Sequence, residues 1–302
     1  MMQDYCIKIK PLAPIGTPWQ SDTIFGHLCW QVVFGAIDMD IETFLESFRD
    51  GHPPFVLSEA FPAGYLPRPM IYAPSPRVDT PEEYDRQKKK KKARYITKAD
   101  FVHRCRGESP LDTFLPDPWR MVIRPHASPD RNSFSTDHEG GFFETEAIQL
   151  EHQDGLEIYI RTEPNWKERV LTLFQALEQV GFGRDKSTGL GAFRLGEMIP
   201  VEIFQAVDDG CNGFVNLSSM VPAKDDPREG WFRLRTKYGK LGEGVFGNPF
   251  KRPLLQIEPG AVFYAGGEIR PYYGRLVRDI APGDSRVVQN GYAMTAPCRI
   301  SK

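Results

Sequence analysis

The stretch Gly181-Phe182-Gly183-Arg184-Asp185-Lys186-Ser187-Thr188-Gly189-Leu190-Gly191-Ala192-Phe193 decides how this chain is read. Four glycines in eleven residues let the backbone take positive φ and come close to a ligand, while Arg184, Lys186, Ser187 and Thr188 supply donors suited to phosphate oxygens. The stretch comes near the nucleotide loop GxxxxGK[ST] but misses it on spacing. Counted from Gly181, the second glycine should stand at 186, which is Lys186; counted from Gly183, it should stand at 188, which is Thr188. Context disagrees as well. Asn165 followed by Glu168 reads as a capping box, and Val170, Leu173, Phe174, Leu177 and Val180 recur at helical spacing up to Gly181, which suits the position just past a helix end. Gly191 to Leu195 reads as a strand. The order is helix, loop, strand, whereas a nucleotide-binding P-loop needs strand, loop, helix, so the NTPase reading fails.

The chain has 302 residues, long for one domain and comfortable for two. With 40% hydrophobic and 12% aromatic residues it can bury a real core, and 26 prolines with 27 glycines point to many loops rather than a helical bundle. A net charge of −2 gives no global sign of a polyanion partner. Charge is uneven, however: between Arg86 and Arg106 ten Lys or Arg stand against the single acid Asp100, a local +9. A basic arm on a neutral body is a common way to meet nucleic acid. The five cysteines are odd in number, far apart and form no CxxC, which fits a reduced cytoplasm and opposes a disulfide framework or a zinc knuckle. With no signal-like start and no apolar run of membrane length, a cytoplasmic, untargeted chain with no membrane partner is expected.

Tyr5 to Lys10 alternates as a half-buried strand should, and Pro11 to Pro18 ends it. Next, Ser21 or Asp22 can cap a helix over 21–36 whose apolar face is Ile24, Phe25, Leu28, Cys29, Val32, Val33 and Ala36. Thr23, His27 and Gln31 form its polar stripe. The free backbone N–H groups at such a helix start make a ready anion site.

Residues 14 to 30, Pro-x-Gly-Thr-Pro-x-Gln-Ser-Asp-Thr-Ile-Phe-Gly-His-Leu-Cys-Trp, resemble the N-terminal signature of the RAMP subunit that caps the 5′ end of the guide RNA in type III-A (Csm) CRISPR effector complexes. Further matches follow in the order that family shows. Residues 53 to 69, PPFVLSEAFPAGYLPRP, resemble its second strand and Leu-Pro-x-Pro turn; Arg124-Pro-His126, Asp130-Arg131 and Glu139-Gly140-Gly141-Phe142-Phe143-x-x-Glu146 resemble its central hairpin. Residues 248 to 263, NPFKRPLLQIEPGAVF, resemble its C-terminal half, and the helix, Gly-rich loop and strand described first close a βαββαβ unit of the RAMP kind.

The resemblance implies an α+β fold of two ferredoxin-like (RRM-like) domains. The first spans 1–200, with an insertion at about 75–118 and the Gly-rich loop at 181–191; the second, 201–302, is degenerate and mostly β. Ile41 to Asp50 reads as a short amphipathic helix closed by Gly51. In the insertion, Pro81-Glu-Glu-Tyr opens a helix that runs into Lys88, Lys89, Lys90, Lys91 and Lys92, followed by Arg94, and Thr97 caps a second short helix. In the family this region is a thumb lying against the guide RNA and the neighbouring backbone subunit, and these cations are given backbone electrostatics and no base reading. Leu156, Ile158 and Ile160 alternate in a strand, the Gly-rich loop's helix covers 166–180, and a strand covers 192–199. After Pro200 short strands are expected at 214–217, 231–236, 254–257, 261–264 and 286–288, with no helix.

The six histidines form no HExxH and no i, i+4 pair, there is no GxSxG, and no cofactor or metal is expected. For RNA the expected basic track is Arg68, Arg124, Arg131, Arg184, Lys186, Lys251 and Arg252, with Phe25, Phe182 and Phe250 as stacking faces. Phe25 lies on the apolar side of its helix and serves equally well as core. Ser21, Asp22, Ser187 and Thr188 can reach ribose hydroxyls or base edges, Gly183 and Gly189 allow close backbone approach, and His27 and His126 stand on polar faces. The expected function is a non-catalytic subunit that anchors the repeat-derived 5′ tag of crRNA between its two domains. It would dock the large polymerase-type subunit and a backbone RAMP subunit and meet target RNA only indirectly. Two other readings stand beside it: a guide-processing endoribonuclease using His27, and a scaffold that touches only proteins.

Overall fold

The computed structural model describes residues 2–71, 80–108, 113–128, 141–205, 210–242 and 249–300. In chain order the first half contains β1 (Gln3–Pro11), α1 (Ser21–Val33), α2 (Ile41–Arg49), β2 (Phe55–Pro62), β3 (Tyr65–Pro67), α3 (Pro81–Lys92), β4 (Tyr95–Thr97), α4 (Lys98–Cys105), β5 (Phe114–Leu115), β6 (Trp119–Ala127), β7 (Phe142–Leu150), β8 (Leu156–Thr162), α5 (Lys167–Val180) and β9 (Phe193–Pro200). The second half contains β10 (Gly213–Asn216), β11 (Gly230–Trp231), β12 (Leu234–Lys237), β13 (Leu254–Ile257), β14 (Val262–Tyr264), β15 (Tyr272–Tyr273), β16 (Leu276–Val277), β17 (Gln289–Asn290) and β18 (Ala293–Cys298).

Four strands form the first sheet in the order β2-β8-β1-β9, every neighbouring pair antiparallel. With α1 between β1 and β2 and α5 between β8 and β9, this is the βαββαβ ferredoxin-like weave. The helix before the Gly-rich loop forms because Val170, Leu173, Phe174 and Leu177 gather on one face and are fully buried against the sheet, each worth about 1.5–3 kcal/mol. It stops at Gly181, whose φ of 80° a side-chain-bearing residue rarely adopts. The capping box expected at Asn165 is replaced by a 3-10 turn over Pro164–Trp166, and Trp166 precedes the helix without a side-chain cap. At its other end α1 stops at Val33, which is exposed, and not at 36.

The insertion behaves as its composition dictates. Thr80 Oγ1 accepts the Glu83 amide to start α3, acids lie in its first turn and lysines in its last, and no α3 side chain is buried. Thr97 caps α4 through the Asp100 amide, and α4 buries Phe101 and Cys105.

The second half is mostly β. A five-stranded sheet runs β11-β14-β10-β18-β15, flanked by the hairpins β12-β13 and β16-β17, and no helix occurs among its described residues. The strand expected at 231–236 splits into β11 and β12, and 286–288 belongs to a turn and the approach to β17. Val215, Leu217, Val262, Met294 and Cys298 share one buried cluster with Ile7, Leu57, Ile158 and Leu173, so the apolar core runs through the Pro200 boundary without a break.

Candidate nucleic-acid interface

The Gly-rich loop is held from below and open above. Its two arms close on each other where the Phe182 amide donates to Gly191 O (2.9 Å), and a Cβ on Gly191 would lie 1.8 Å from Phe182 O. The connection after β1 grips it next: Gly191 N donates to Pro14 O (2.9 Å), Arg184 N to Thr17 Oγ1 (3.2 Å) and Arg184 Nε to Gly16 O (2.7 Å). From α1, His27 Nε2 accepts the Gly183 amide at 3.1 Å. From the β6-β7 hairpin, Arg124 donates to Thr188 O (3.0 Å), and Arg184 reaches back to Glu146 O (2.6 Å).

What remains is an exposed crest. Asp185 takes the left-handed conformation (φ 58°), Lys186–Thr188 form one 3-10 turn, and Gly189 is left-handed again. Among the described residues no acceptor takes the amides of Asp185 or Ser187, which flank Lys186. Backbone N–H groups in a left-handed then helical succession form a concavity suited to an anion. His126 lies two residues beyond Arg124 on the same face of the hairpin, with its ring stacked on Phe143 (5.1 Å, 10°) and Nε2 against Thr145 Oγ1 (2.8 Å).

Several residues expected at this surface lie inside the protein. Phe25 is 2% exposed and packs edge-on against Phe48 (4.8 Å). Phe182 is 0% exposed and stacks on Trp19 at 3.8 Å and 11°, so its ring face is already occupied. Neither can receive a base as placed. Ser21 and Asp22 are buried where α1 meets the second half: Ser21 Oγ accepts the Ser219 amide (3.0 Å), and Asp22 accepts from Lys237 Nζ (3.0 Å), Gln256 (2.9 Å) and Gln289 (2.6 Å). Burial alone would push the Asp22 carboxyl up, but the Lys237 ammonium and the Gln256 amide outweigh it and hold it below the usual carboxylate range. The start of α1 is therefore a junction between the two halves. It is not an open anion site, since Ser21 and Asp22 are buried and bonded there.

Arg184 also has a double character. It stands 55% exposed, yet its guanidinium straps the loop to Gly16 and Glu146. His27 is half-buried and commits Nε2 to the loop.

A second group lies on the C-terminal half. Phe250 is 52% exposed with Lys240 Nζ 5.2 Å from its ring centre, and Arg252 beside it is exposed. Lys251 is half-buried, donating to Gln289 Oε1 (2.7 Å) and Val288 O (3.2 Å), and burial lowers its ammonium to about 8. The third group is the insertion, where Arg68 donates to Lys90 O, the Arg68 amide to Arg94 O (2.8 Å), and Lys88, Lys89, Lys91 and Lys92 are exposed. Arg131 lies outside the described residues. Sequence reasoning missed Pro14, Gly16, Thr17 and Glu146 as the loop's supports; the Pro-x-Gly-Thr motif hinted at the first three and the Glu139 to Glu146 motif at the last.

No group of three or more His, Cys, Asp or Glu among the described residues could hold a metal ion. Burial pushes the Cys6 and Cys29 thiols up to about 12, away from the thiolate a nucleophile needs. No helix among them is long and apolar enough to cross a membrane.

Comparison with solved structures finds this fold in chains of Csm assemblies. A chain in the crystal structure of the Csm1-Csm4 cassette in complex with pppApA is similar over 99% of this chain and 99% of its own, at 20% identity and a TM-score of 0.65. The same cassette in complex with cA4 gives 19% identity over the same shares and a TM-score of 0.65. A chain of the Csm3-Csm4 subcomplex of the type III-A CRISPR-Cas interference complex is similar over 97% of this chain and 99% of its own, at 16% identity and 0.55. No family model and no curated protein matches. Csm4 is the component that the two assemblies share, and this chain has the fold of the chains it matches in them.

Proposed function

We propose that the chain is a non-catalytic, RNA-binding subunit of a type III-A CRISPR effector complex that anchors the repeat-derived 5′ tag of crRNA. On this reading it docks a Csm1-like large subunit and a Csm3-like backbone subunit and meets target RNA indirectly. The observation that carries the proposal is the end-to-end likeness to chains of both the Csm1-Csm4 and the Csm3-Csm4 assemblies.

The site supports it in a form narrower than composition suggests. Single-stranded RNA is held by a basic track and by aromatic faces. Lys186, Ser187, Thr188 and the free amides of the crest offer phosphate and ribose contacts, with Arg124 tied to them. Phe250 with Lys251 and Arg252, and the His126–Phe143 stack, supply exposed rings and charge, and the lysines of α3 add nonspecific attraction. With Nε2 accepting the Gly183 amide, neutral His27 carries its proton on Nδ1, and the nitrogen that faces the loop is committed to holding it.

Crosslinking from a 5′-labelled guide in the assembled complex tests the reading. Adducts are expected on 184–189 and near Phe250; adducts confined to the neighbouring subunits would make the chain a protein-only scaffold. With purified protein, Lys186→Ala should flatten the dependence of log K on log salt by up to about 0.7 per lost phosphate contact, while repeat RNA stays uncut.

A further inference from the structure

We infer that His27 is the positioning residue of the Gly-rich loop, setting the direction of the Gly183 amide and through it the exposed crest; the inference rests on the loop meeting RNA. The Gly183 amide has a single acceptor, and that acceptor is a side chain of α1, whereas the neighbouring anchors of the loop are carbonyls of the chain or the Thr17 hydroxyl. Gly183 sits at φ 83° with Thr17 so close that a Cβ would lie 3.0 Å from Thr17 Cβ, so this peptide has little room to turn another way. The imidazole is seated on Phe182 at 4.7 Å, and Phe182 on Trp19 at 3.8 Å, which fixes the ring that makes the bond.

The helix carrying His27 is itself immobilised, because Ser21 and Asp22 are locked into the second half and Leu28 and Val32 into the core. Of the scaffold bonds to the loop, this one enters at the hinge between its rising arm and the crest, three residues before Lys186. Losing the acceptor leaves the Gly183 N–H unpaired in a peptide with little room to turn to another partner, which loosens this hinge and with it the placement of Arg184 to Ser187. His27 on the polar stripe of α1 is thereby explained without acid-base chemistry.

The test compares His27→Gln, whose carboxamide oxygen can stand where Nε2 stands and accept the same amide, with His27→Leu and the shorter, polar His27→Asn, which cannot reach it. Full-length protein is followed by hydrogen exchange at Gly183 and Arg184, the two bonded amides of the hinge, and by affinity for a synthetic single-stranded RNA carrying the 5′ tag. His27→Leu and His27→Asn should exchange these amides at least about tenfold faster and bind about tenfold more weakly (about 1.4 kcal/mol), with His27→Gln within about threefold of the native protein in both. Unchanged exchange in both impaired variants, or His27→Gln as impaired as they are, overturns the assignment. Faster exchange with unchanged affinity also overturns it as a binding device. If Lys186→Ala then leaves affinity unchanged too, the loop's RNA role has failed; if Lys186→Ala weakens binding, the failure belongs to His27 alone.

Discussion

Replacing Asp22 with Ala should cost this protein about 3–5 kcal/mol of stability, the range for stranding one partner of a buried ion pair. The Asp22 side chain is fully buried and takes hydrogen bonds from Lys237, Gln256 and Gln289 and from the Thr23 amide (2.7 Å). Its loss leaves the Lys237 ammonium, whose side chain is 17% exposed, without its counter-charge, and the two glutamine carboxamides and the Thr23 amide without this acceptor. A surface pair would cost only about 0.2–1 kcal/mol. In a chain of this size, at about 2 °C per kcal/mol, the loss is a fall in Tm of about 6–10 °C. Thermal and urea unfolding would measure it, with Lys237→Met added to close a double-mutant cycle. Removing the ammonium should recover part of the loss, because the stranded charge goes with it. The depressed carboxyl adds an acid-limb signature: its contribution is complete above the unfolded value near 3.8 and is lost as pH falls through the lower folded value, so Asp22→Asn should flatten stability below pH 4. A loss under about 1 kcal/mol, or strict additivity with Lys237→Met, would refute the junction. So would an Asp22→Ala protein of native stability that binds RNA differently, which is the outcome an open helix start requires.

Phe182→Ala should cost about 3–5 kcal/mol of stability by leaving a cavity beside Trp19, while Phe250→Ala should leave Tm within a degree or two and cost about 1–3 kcal/mol of RNA affinity; exchanged phenotypes would reverse which ring is core and which is platform. Lys251, lowered to about 8, loses charge between pH 7 and 9, so RNA affinity should fall across that window and hold steady in Lys251→Arg; since its folded value lies below the unfolded 10.5, stability should meanwhile rise from pH 8 towards 10.5, and parallel profiles for the two proteins would remove Lys251 from the site. Replacing Lys88 to Lys92 with Gln should weaken binding about equally for tagged and untagged RNA, since no α3 side chain is packed into the body; altered tag preference in competition assays would give the insertion a reading role.

Much of the architecture was legible because it depends on neighbours close in the chain. The spacing of Val170 to Leu177 against Gly181, the alternation of Leu156, Ile158 and Ile160, and Thr97 and Pro81 at helix starts are local patterns, and each appears where it was read. The expected caps at Asn165 and at Ser21 or Asp22 failed because a cap is a choice between rival partners. Trp166 buries its ring in a 3-10 turn, and Ser21 and Asp22 turn to groups roughly two hundred residues away.

What the sequence determined by itself is the alternation and punctuation that make a ferredoxin-like unit followed by a mostly β unit, together with a loop whose glycines permit left-handed backbone. What only the tertiary structure decided is which polar and aromatic side chains are left to meet a ligand. A phenylalanine after a glycine, or a Ser-Asp pair at a helix start, has the same local chemistry whether it faces solvent or a distant strand. Burial is settled by long-range packing: Trp19 claims the face of Phe182, and Lys237, Gln256 and Gln289 claim the carboxylate of Asp22. The crest from Arg184 to Gly189 stays outside because the connection after β1, α1 and the β6-β7 hairpin all grip the loop from the other side.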